Sequence, residues 1–309
     1  VILALSKKHE LLRAVCVGNS MQILRSCPKG AFQSILFEDK VTYEKNLLAI
    51  QSSLDLQNGP LWKIVLFKNK DSDRILFCFH HLVIDGVSWR ILLDDFSDMY
   101  FKFKNDRDIE ILPAVGFHVW TEKIHQYSRS KKILEEMPYW NQLNKPEYIQ
   151  LPGHKSNFAF TTKNSKAVKI SFSESETQTI LKEILPKLNC NINELLLASL
   201  ARALADFRNE PNTLIMMEGH GRNESLAGEL DLSQTVGWFT NAFPFLLQKS
   251  EGGFQDQISE IKKAFQHLPN YGLGYGILKY IAPKYVKNIE VQTLKPMVSF
   301  NYLGQYDGA

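Results

Sequence analysis

The sequence contains few cysteines and no cysteine pair at metal-binding or redox spacing. Cys16, Cys27, Cys78 and Cys190 are scattered over 309 residues, without a CxxC pair. This spacing disfavours both a disulfide-stabilised scaffold and a cysteine-based zinc site. We therefore predict four free thiols in a reducing, cytoplasmic compartment.

An excess of charge of one sign and long hydrophobic runs are also lacking. The chain carries 36 basic and 33 acidic residues, a net charge of +3, which is far from the one-sided surplus of a nucleic-acid-binding protein. No apolar run reaches the roughly 20 residues that span a bilayer, and no secretory signal opens the chain. We therefore predict neither a nucleic-acid partner nor a membrane partner.

Both ends of the sequence look interrupted. The chain opens on "VILALSKKHELLRAV", which reads as the middle of a helix, and stops just after the strand-like "SFNYLGQYDGA". We expect these residues to be a piece of a longer protein. A length of 309 residues favours two packed subdomains over a single core.

Apolar periodicity predicts an α/β fold. "LWKIVLFKN" and "DRILFCFHH" flank the polar turn "KDSD", which indicates a hairpin. The second run is apolar from Ile75 to Phe79, as in a strand that is buried on both faces. A helical period then begins at Trp89, with Ser88 as the predicted N-cap.

A break at "NKPEYIQLPGHKSN" predicts the boundary between halves spanning residues 1–150 and 151–309. In the second half, "AVKISFS" alternates as a strand, and Ser173 with Glu176 forms a capping-box pattern. "NINELLLASLARALADF" predicts a helix capped by Asn191 or Asn193. "NTLIMMEGHGRN" and "PMVSFNYLGQYD" predict further strands.

Two histidines stand where an apolar strand ends, in "FCFHHLVIDGVSW". Neighbouring strand residues point to opposite faces, so one of His80 and His81 is expected to be structural and the other presented. Asp85, on the following loop, can fix the turn or orient a ring. Adjacent histidines make a poor ligand pair and no HExxH is present, so we predict no metal site.

A second cluster, "EGHGRN", repeats this arrangement at the end of another strand. Glu218 is an unusual last residue for a buried strand unless a carboxylate is needed there. Two such strand ends, one in each half, are expected to face each other across a cleft as a paired acid and base. "PNYGLGYG" matches a phosphate-binding loop only loosely.

Taken together, these motifs resemble one family. "HHLVIDGVSW" resembles the HHxxxDG signature of condensation-superfamily domains in nonribosomal peptide synthetases. "EGHGRN", "TVGWFTNAFP", "PNYGLGYG" and "SFNYLGQ" resemble, in the same order, the later motifs of its epimerization branch. The resemblance implies two chloramphenicol-acetyltransferase-like subdomains that form a V with a central tunnel.

The resemblance also implies an isomerase of antibiotic biosynthesis. Its substrate would be an aminoacyl or peptidyl thioester on the 4'-phosphopantetheine arm of an upstream peptidyl carrier domain, with a downstream synthetase module as a second partner. No cofactor would bind the chain directly. The reaction would be inversion at Cα from L towards D.

Residue roles follow from the matched motif positions. His81 and Glu218 match the catalytic acid/base positions, and the direction of proton flow between them stays open. The remaining site residues are expected to support catalysis (His80, Asp85, Arg222, Asn301 and Tyr302) or to contact the substrate (Gly86, Ser88 and Trp238).

Three positions depart from the family pattern: Asn223 stands where Glu is usual, Gln234 where Arg is usual, and Phe243 where Tyr is frequent. These departures affect local ion pairs and carrier contacts more than the acid/base pair. Two alternatives remain, a condensation domain that forms amide bonds and a non-catalytic module that only docks carrier domains.

Overall fold

The chain divides into two compact units. The computed structural model describes residues 1–70, 72–149, 151–152, 161, 164–285 and 295–304. Val1–Gln126 and Arg222–Thr240 form the first unit, and the second comprises Tyr127–Gly221 and the chain from Asn241. This division differs from a single boundary near residue 150, because residues 127–149 pack within the second unit and Arg222–Thr240 returns to the first.

The first unit contains five α-helices and five strands among its described residues. They are α1 (Ile2–Lys8), β1 (Ala14–Val17), β2 (Ser20–Ile23), β3 (Phe32–Leu36), α2 (Lys40–Ser52), β4 (Trp62–Lys68), β5 (Arg74–Phe79), α3 (Gly86–Lys104) and α4 (Phe117–Tyr127, of which the last residue belongs to the second unit), together with the short α10 (Glu224–Ala227) of the returning segment.

The sheet of this unit has the order β3-β4-β5, with β3 parallel and β5 antiparallel to β4. The predicted hairpin is therefore confirmed. The prediction that its second strand is buried on both faces is wrong, since β5 is half-buried or exposed along its length. It lies at the edge of this three-stranded sheet, whereas the central strand β4 is almost fully buried.

One hydrophobic cluster joins the elements of the first unit. Leu5 of α1, Ile64 of β4 and Leu92 of α3 pack together with Val236, which belongs to the returning segment. Trp62 stacks on Phe79, with ring centroids 5.6 Å apart, and its indole N–H donates to the carbonyl of Leu12 at 2.7 Å. The returning segment is thus part of this core and not a surface loop.

Charged groups at the end of α1 fasten it to α3. Lys8 Nζ lies 2.6 Å from one oxygen of Asp95, and His9 Nε2 lies 2.6 Å from the other. Burial acts to raise the pKa of Asp95, but the hydrogen bonds and positive charge of His9 and Lys8 outweigh it and hold this pKa below its usual value.

The second unit contains a three-stranded sheet and several helices among its described residues. They are α5 (Lys131–Leu134), α6 (Met137–Gln142), α7 (Glu174–Thr179), α8 (Leu185–Lys187), α9 (Ile192–Arg208), β6 (Asn212–Gly219), β7 (Asn241–Gln248), α11 (Phe254–His267), α12 (Leu273–Gly276) and β8 (Ser299–Phe300), with a π-helical turn at Ile180–Ile184 and another at Ile277–Ile281.

In this sheet the order is β7-β6-β8, with β7 antiparallel and β8 parallel to β6. Helices α9 and α11 pack on each other; α9 also packs on β6 and β7, and α11 on β7. Both units therefore combine sheet and helix, which confirms the predicted α/β class. The predicted strand "AVKISFS" is not formed, and its apolar residues Val168, Ile170 and Phe172 are 89%, 81% and 64% exposed.

Helix starts in the second unit follow the local sequence. Ser173 and Glu176 form the predicted capping box at α7, and Asn191 with Glu194 forms a second one at α9. Within the described ranges, no helix is both long and apolar enough to cross a membrane.

We expect Trp62→Phe to destabilise the first unit by about 1–3 kcal/mol, because the buried carbonyl of Leu12 loses its indole donor while the stacking on Phe79 is kept. The midpoint of urea unfolding measures the change. Trp120→Phe is the matched control, since this buried indole donates no hydrogen bond to a described residue. An equal loss in both variants would contradict the role of the hydrogen bond.

The lowered pKa of Asp95 predicts an acid-dependent contribution to stability. A carboxyl whose folded pKa is depressed stabilises the fold above its unfolded pKa, near 3.9, and this stabilisation is lost as the pH falls through the folded value. Asp95→Asn should therefore lower the unfolding midpoint at pH 7 and have less effect below about pH 3. A difference in unfolding midpoint between the variant and the wild type that stays constant as the pH falls from 7 to below about 3 would contradict the prediction.

Candidate active site

The two histidines of the opening motif have different surroundings. Strand β5 ends at Phe79, and the backbone N–H of His80 donates to the carbonyl of Leu61 at 2.8 Å. Its ring nitrogen Nδ1 accepts the backbone N–H of Leu82 at 3.2 Å and caps the single 3₁₀ turn His81–Val83. The side chain of His80 therefore holds the turn on which His81 stands.

His81, in contrast, is exposed. It lies against Trp238, with ring centroids 5.1 Å apart and planes inclined by 54°. Trp238 is itself 43% exposed, which is unusual for so large an apolar group. Both histidines lie beyond the end of β5, so the 3₁₀ turn, and not strand alternation, gives the two side chains their different surroundings.

Asp85 begins the long helix α3. Its Oδ1 accepts the backbone N–H of Ser88 at 2.8 Å, so Asp85 and not Ser88 is the N-cap. Its Oδ2 accepts the backbone N–H of Phe239 at 3.1 Å, from the returning segment. The side chain is 2% exposed, and burial of a carboxylate requires such partners.

Arg222 supplies the positive charge that compensates Asp85. Its Nη1 lies 3.0 Å from Oδ2 of Asp85, and its Nη2 donates to Ser88 Oγ at 2.9 Å and to the carbonyl of Thr235 at 3.0 Å. The guanidinium also lies 4.0 Å from the ring centroid of Phe239. Burial lowers the pKa of Arg222 and the charge of Asp85 opposes this shift.

Ser88 belongs to this buried network, not to a substrate surface. It is 0% exposed, and its hydroxyl donates to the carbonyl of Gly237 at 2.9 Å while accepting the N–H of Gly237 at 3.0 Å. The expectation of substrate contact is therefore corrected: Ser88 holds the turn that carries Trp238. Gly86 is exposed, with open space where a Cβ would stand.

The turn at Gly237 is also packed too closely for a side chain. A Cβ at Gly237 would collide with the ring of Phe117, which in turn packs edge-on against Phe239 at 4.9 Å between centroids.

Asn223, at a position where the family usually has Glu, accepts the N–H of Leu226 at 2.9 Å as the N-cap of α10. The amide therefore has a local structural role of its own.

In the second unit, the register of the sheet brings Glu218 and Asn301 together. Met216 pairs with Ser299 and Met217 with Phe300 in the parallel ladder of β6 and β8, so the next positions are neighbours. Asn301 Nδ2 donates to Oε2 of Glu218 at 2.6 Å, and both side chains are exposed.

The surroundings of Glu218 are built by β7 and the end of β8. Gly219 pairs with Asn241 in the antiparallel ladder, and a Cβ at Gly219 would stand 2.7 Å from Oδ1 of Asn241. Tyr302 follows Asn301 and is 37% exposed. Among the residues that the structure describes, no cluster of three or more His, Cys, Asp or Glu side chains could hold a metal ion.

The two-unit α/β fold, with a histidine just after a strand and the aspartate of the same turn buried in an ion pair, agrees with the class of condensation-type synthetase domains. The family profile described as the condensation domain matches residues 1–309. The chain belongs to the condensation-domain family of nonribosomal peptide synthetases.

Relatives in this family are much larger proteins. Bacitracin synthase 2 of Bacillus licheniformis is 34% identical over 316 aligned positions, which cover 98% of this chain and 12% of that synthase. The chain thus spans about an eighth of this relative's length.

Solved structures show the same fold. The epimerization domain from the third module of tyrocidine synthetase B is 29% identical with a TM-score of 0.85, covering 99% of this chain and 74% of that one. The first condensation domain of the CDA synthetase is 16% identical with a TM-score of 0.70, covering 88% of this chain and 66% of that one. The second likeness concerns the fold alone.

We expect Asp85→Asn to destabilise the first unit by about 3 kcal/mol, because Arg222 would stay buried without its counter-charge. The double variant Asp85→Asn with Arg222→Met should lose less than the sum of the two single changes. Urea unfolding of all four proteins gives the coupling energy. Simple additivity of the two changes would contradict the ion pair as their common cause.

Proposed function

We propose that this domain inverts the α-carbon of an aminoacyl or peptidyl thioester that a neighbouring carrier domain presents on its 4'-phosphopantetheine arm. The observation that carries the proposal is the exposed carboxylate of Glu218, oriented by Asn301 at the end of β6. It is a second acid/base group in addition to the exposed imidazole of His81.

The chemistry of inversion requires two such groups. A thioester carbonyl acidifies the adjacent C–H, so a positioned base can remove the proton. Inversion then requires that a proton return to the opposite face of the α-carbon from a second group. We assign these two roles to His81 and Glu218, with each group exchanging roles according to whether the L or the D form is bound.

Local contacts suit both groups to proton transfer. Among the described residues, only Asn301 donates to the carboxylate of Glu218, and it does so at Oε2, so Oε1 can take or give a proton. His80 holds the turn on which His81 stands, and Trp238 covers one side of its ring. We assign to Tyr302 the role of hydrogen-bond donor to the developing enolate oxygen.

Similarity to known structures supports the same assignment. The TM-score of 0.85 with an epimerization domain exceeds the 0.70 with a condensation domain, and the sequence identity is higher as well. We further propose an upstream peptidyl carrier domain and a downstream synthetase module as partners, and the cytoplasm as the site of the reaction, where the four thiols stay reduced.

Amide-bond formation is the second candidate, because the family profile that matches the chain is that of the condensation domain. A condensation reaction needs one base near the attacking amine, which His81 can supply. It leaves the oriented carboxylate of Glu218 without a role, and this favours inversion.

The proposed reaction is measured by exchange of the α-proton with solvent deuterium. The domain, within its synthetase polypeptide, is given carrier domains loaded with a panel of L-aminoacyl groups, and mass spectrometry follows the deuterium. We expect His81→Ala and Glu218→Gln each to slow exchange by about 100-fold or more, as loss of a general acid or base does. Glu210→Gln, an exposed glutamate elsewhere in the second unit, is the matched control and should exchange normally.

Exchange at the wild-type rate in both site variants would reject the acid/base pair. Acylation of an acceptor aminoacyl carrier without inversion of the donor would instead identify a condensation domain. Glu218→Gln distinguishes the two reactions, since condensation should tolerate it and inversion should not.

A further inference from the structure

The ladder of β6 and β7 determines which residues share a face of the sheet with Glu218. Glu218 pairs with Ala242, and Gly219, the next residue of β6, pairs with Asn241. Directly paired residues of an antiparallel ladder point to the same face, and neighbours along a strand point to opposite faces. Ala242 therefore lies on the face that carries Glu218, and both residues are exposed.

Glu218 and Ala242 form the closer of the two kinds of pair that alternate along an antiparallel ladder. The N–H of Lys249 donates to the carbonyl of Pro211 at 2.7 Å, which continues the register of β6 and β7 by one hydrogen-bonded pair. Because bonded and non-bonded pairs alternate from there, Glu218 and Ala242 are a non-bonded pair, in which the side chains stand closest together. In directly opposed pairs the Cβ atoms lie about 4.5–5.5 Å apart.

The carboxylate of Glu218 leans away from Ala242. Its Oε2 accepts Asn301 Nδ2 at 2.6 Å, and Asn301 follows β8, which pairs with β6 on the side opposite to β7. Alanine has no side-chain atom beyond Cβ, so it leaves open the space above β7 beside the carboxylate. Met216 and Pro244, which pair with each other on the same face, are half-buried and buried, and they give this space an apolar wall.

The opposite face of the sheet is filled at this level. Phe243, one of the departures from the family pattern, points to that face and is buried. A Cβ at Gly272 would collide with its ring, so the glycine permits close packing of the "PNYGLGYG" loop, and no phosphate is required to explain it. A substrate that meets the carboxylate of Glu218 therefore lies over the face of Ala242.

The two sides of this carboxylate differ in polarity. On the β8 side, the amide of Asn301 has a second N–H besides the one that Glu218 accepts, and Tyr302 follows with its hydroxyl. On the β7 side, Ala242 and Pro244 present only apolar groups. A carbonyl oxygen can accept hydrogen bonds on the first side, whereas an apolar side chain loses no hydrogen bond on the second.

We propose that Ala242 is a specificity-determining residue, and that the space above its methyl group receives the amino-acid side chain carried by the α-carbon. This inference rests on the proposed function, in which Glu218 acts at that α-carbon. The thioester carbonyl then lies towards β8 and the amino-acid side chain over β7. A larger residue at position 242 narrows the space and disfavours large amino-acid side chains more than small ones.

Binding of carrier domains that cannot react tests the contact. The domain, within its synthetase polypeptide and with its own carriers left without a pantetheine arm, is given carriers that bear L-alanyl or L-leucyl groups joined to aminopantetheine through an amide. The two dissociation constants are measured. We expect Ala242→Leu to raise the ratio of the leucyl to the alanyl constant by about tenfold over the wild type, as overfilling of an apolar space does.

Three further variants separate the size of the residue from other effects. Ala242→Ser adds little volume and should keep the wild-type ratio. Ala203→Leu makes the same substitution at another exposed alanine of the second unit, in α9, and should also keep it. Ala242→Val should raise the ratio by about threefold, and it replaces Ala242→Leu in the test if urea unfolding shows that the leucine variant is not folded.

An unchanged ratio in the folded variants with leucine or valine at position 242, or an equal rise in Ala203→Leu, would overturn the proposal. The proposed reaction is judged separately, by deuterium exchange of wild-type thioester substrates, because the amide probes need not react. A raised ratio in Ala242→Leu without exchange in the wild type would reject inversion and keep the contact. Exchange in the wild type with an unchanged ratio would keep inversion and reject the role of Ala242.

Discussion

The buried ion pair of Asp85 and Arg222 is the interaction on which the first unit depends most. One carboxylate caps α3, accepts a backbone N–H of the returning segment and faces the guanidinium, so three parts of the chain meet at a single charge. A buried pair of this kind is not a simple source of stability, because desolvation offsets most of its Coulomb energy. Its effect is specificity, since any other packing of Arg222–Thr240 leaves a charge without compensation.

The same pair connects the scaffold to the chemistry. Arg222 holds Ser88 and Thr235, Ser88 holds the turn at Gly237, and that turn carries Trp238 against the exposed ring of His81. The supporting groups Asp85, Arg222 and Ser88 are buried or nearly so and share several hydrogen bonds, while the groups assigned to proton transfer are exposed. In the second unit both Glu218 and its partner Asn301 are exposed, and the register of two paired strands sets their separation.

Short sequence motifs predicted those features of the structure that depend on residues close together in the chain. The capping box of Ser173 and Glu176 and the hairpin of β4 and β5 depend on spacings of a few residues, and both are confirmed. Ser88 was a plausible cap by type, but the helix begins one turn earlier, at residues whose side chains give no apolar period. The partners of Asp85 and Glu218 lie 137 and 83 residues away, so no spacing rule could identify them. The division into units likewise depends on long-range packing, because composition marks a break in the chain but not the unit to which the next segment returns.

The exposed segment that contains Val168, Ile170 and Phe172 affects how molecules of this chain associate in solution. Its apolar side chains alternate with exposed polar residues along a stretch that forms no strand in the structure, and unpaired backbone of this kind can pair with another molecule. Lys166 and Lys169 are exposed in the same stretch, and their mutual repulsion opposes stacking of copies. Salt weakens that repulsion and strengthens apolar association. Self-association of this chain should therefore increase as ionic strength rises. The cause lies in these few residues and not in the small net charge of the whole chain.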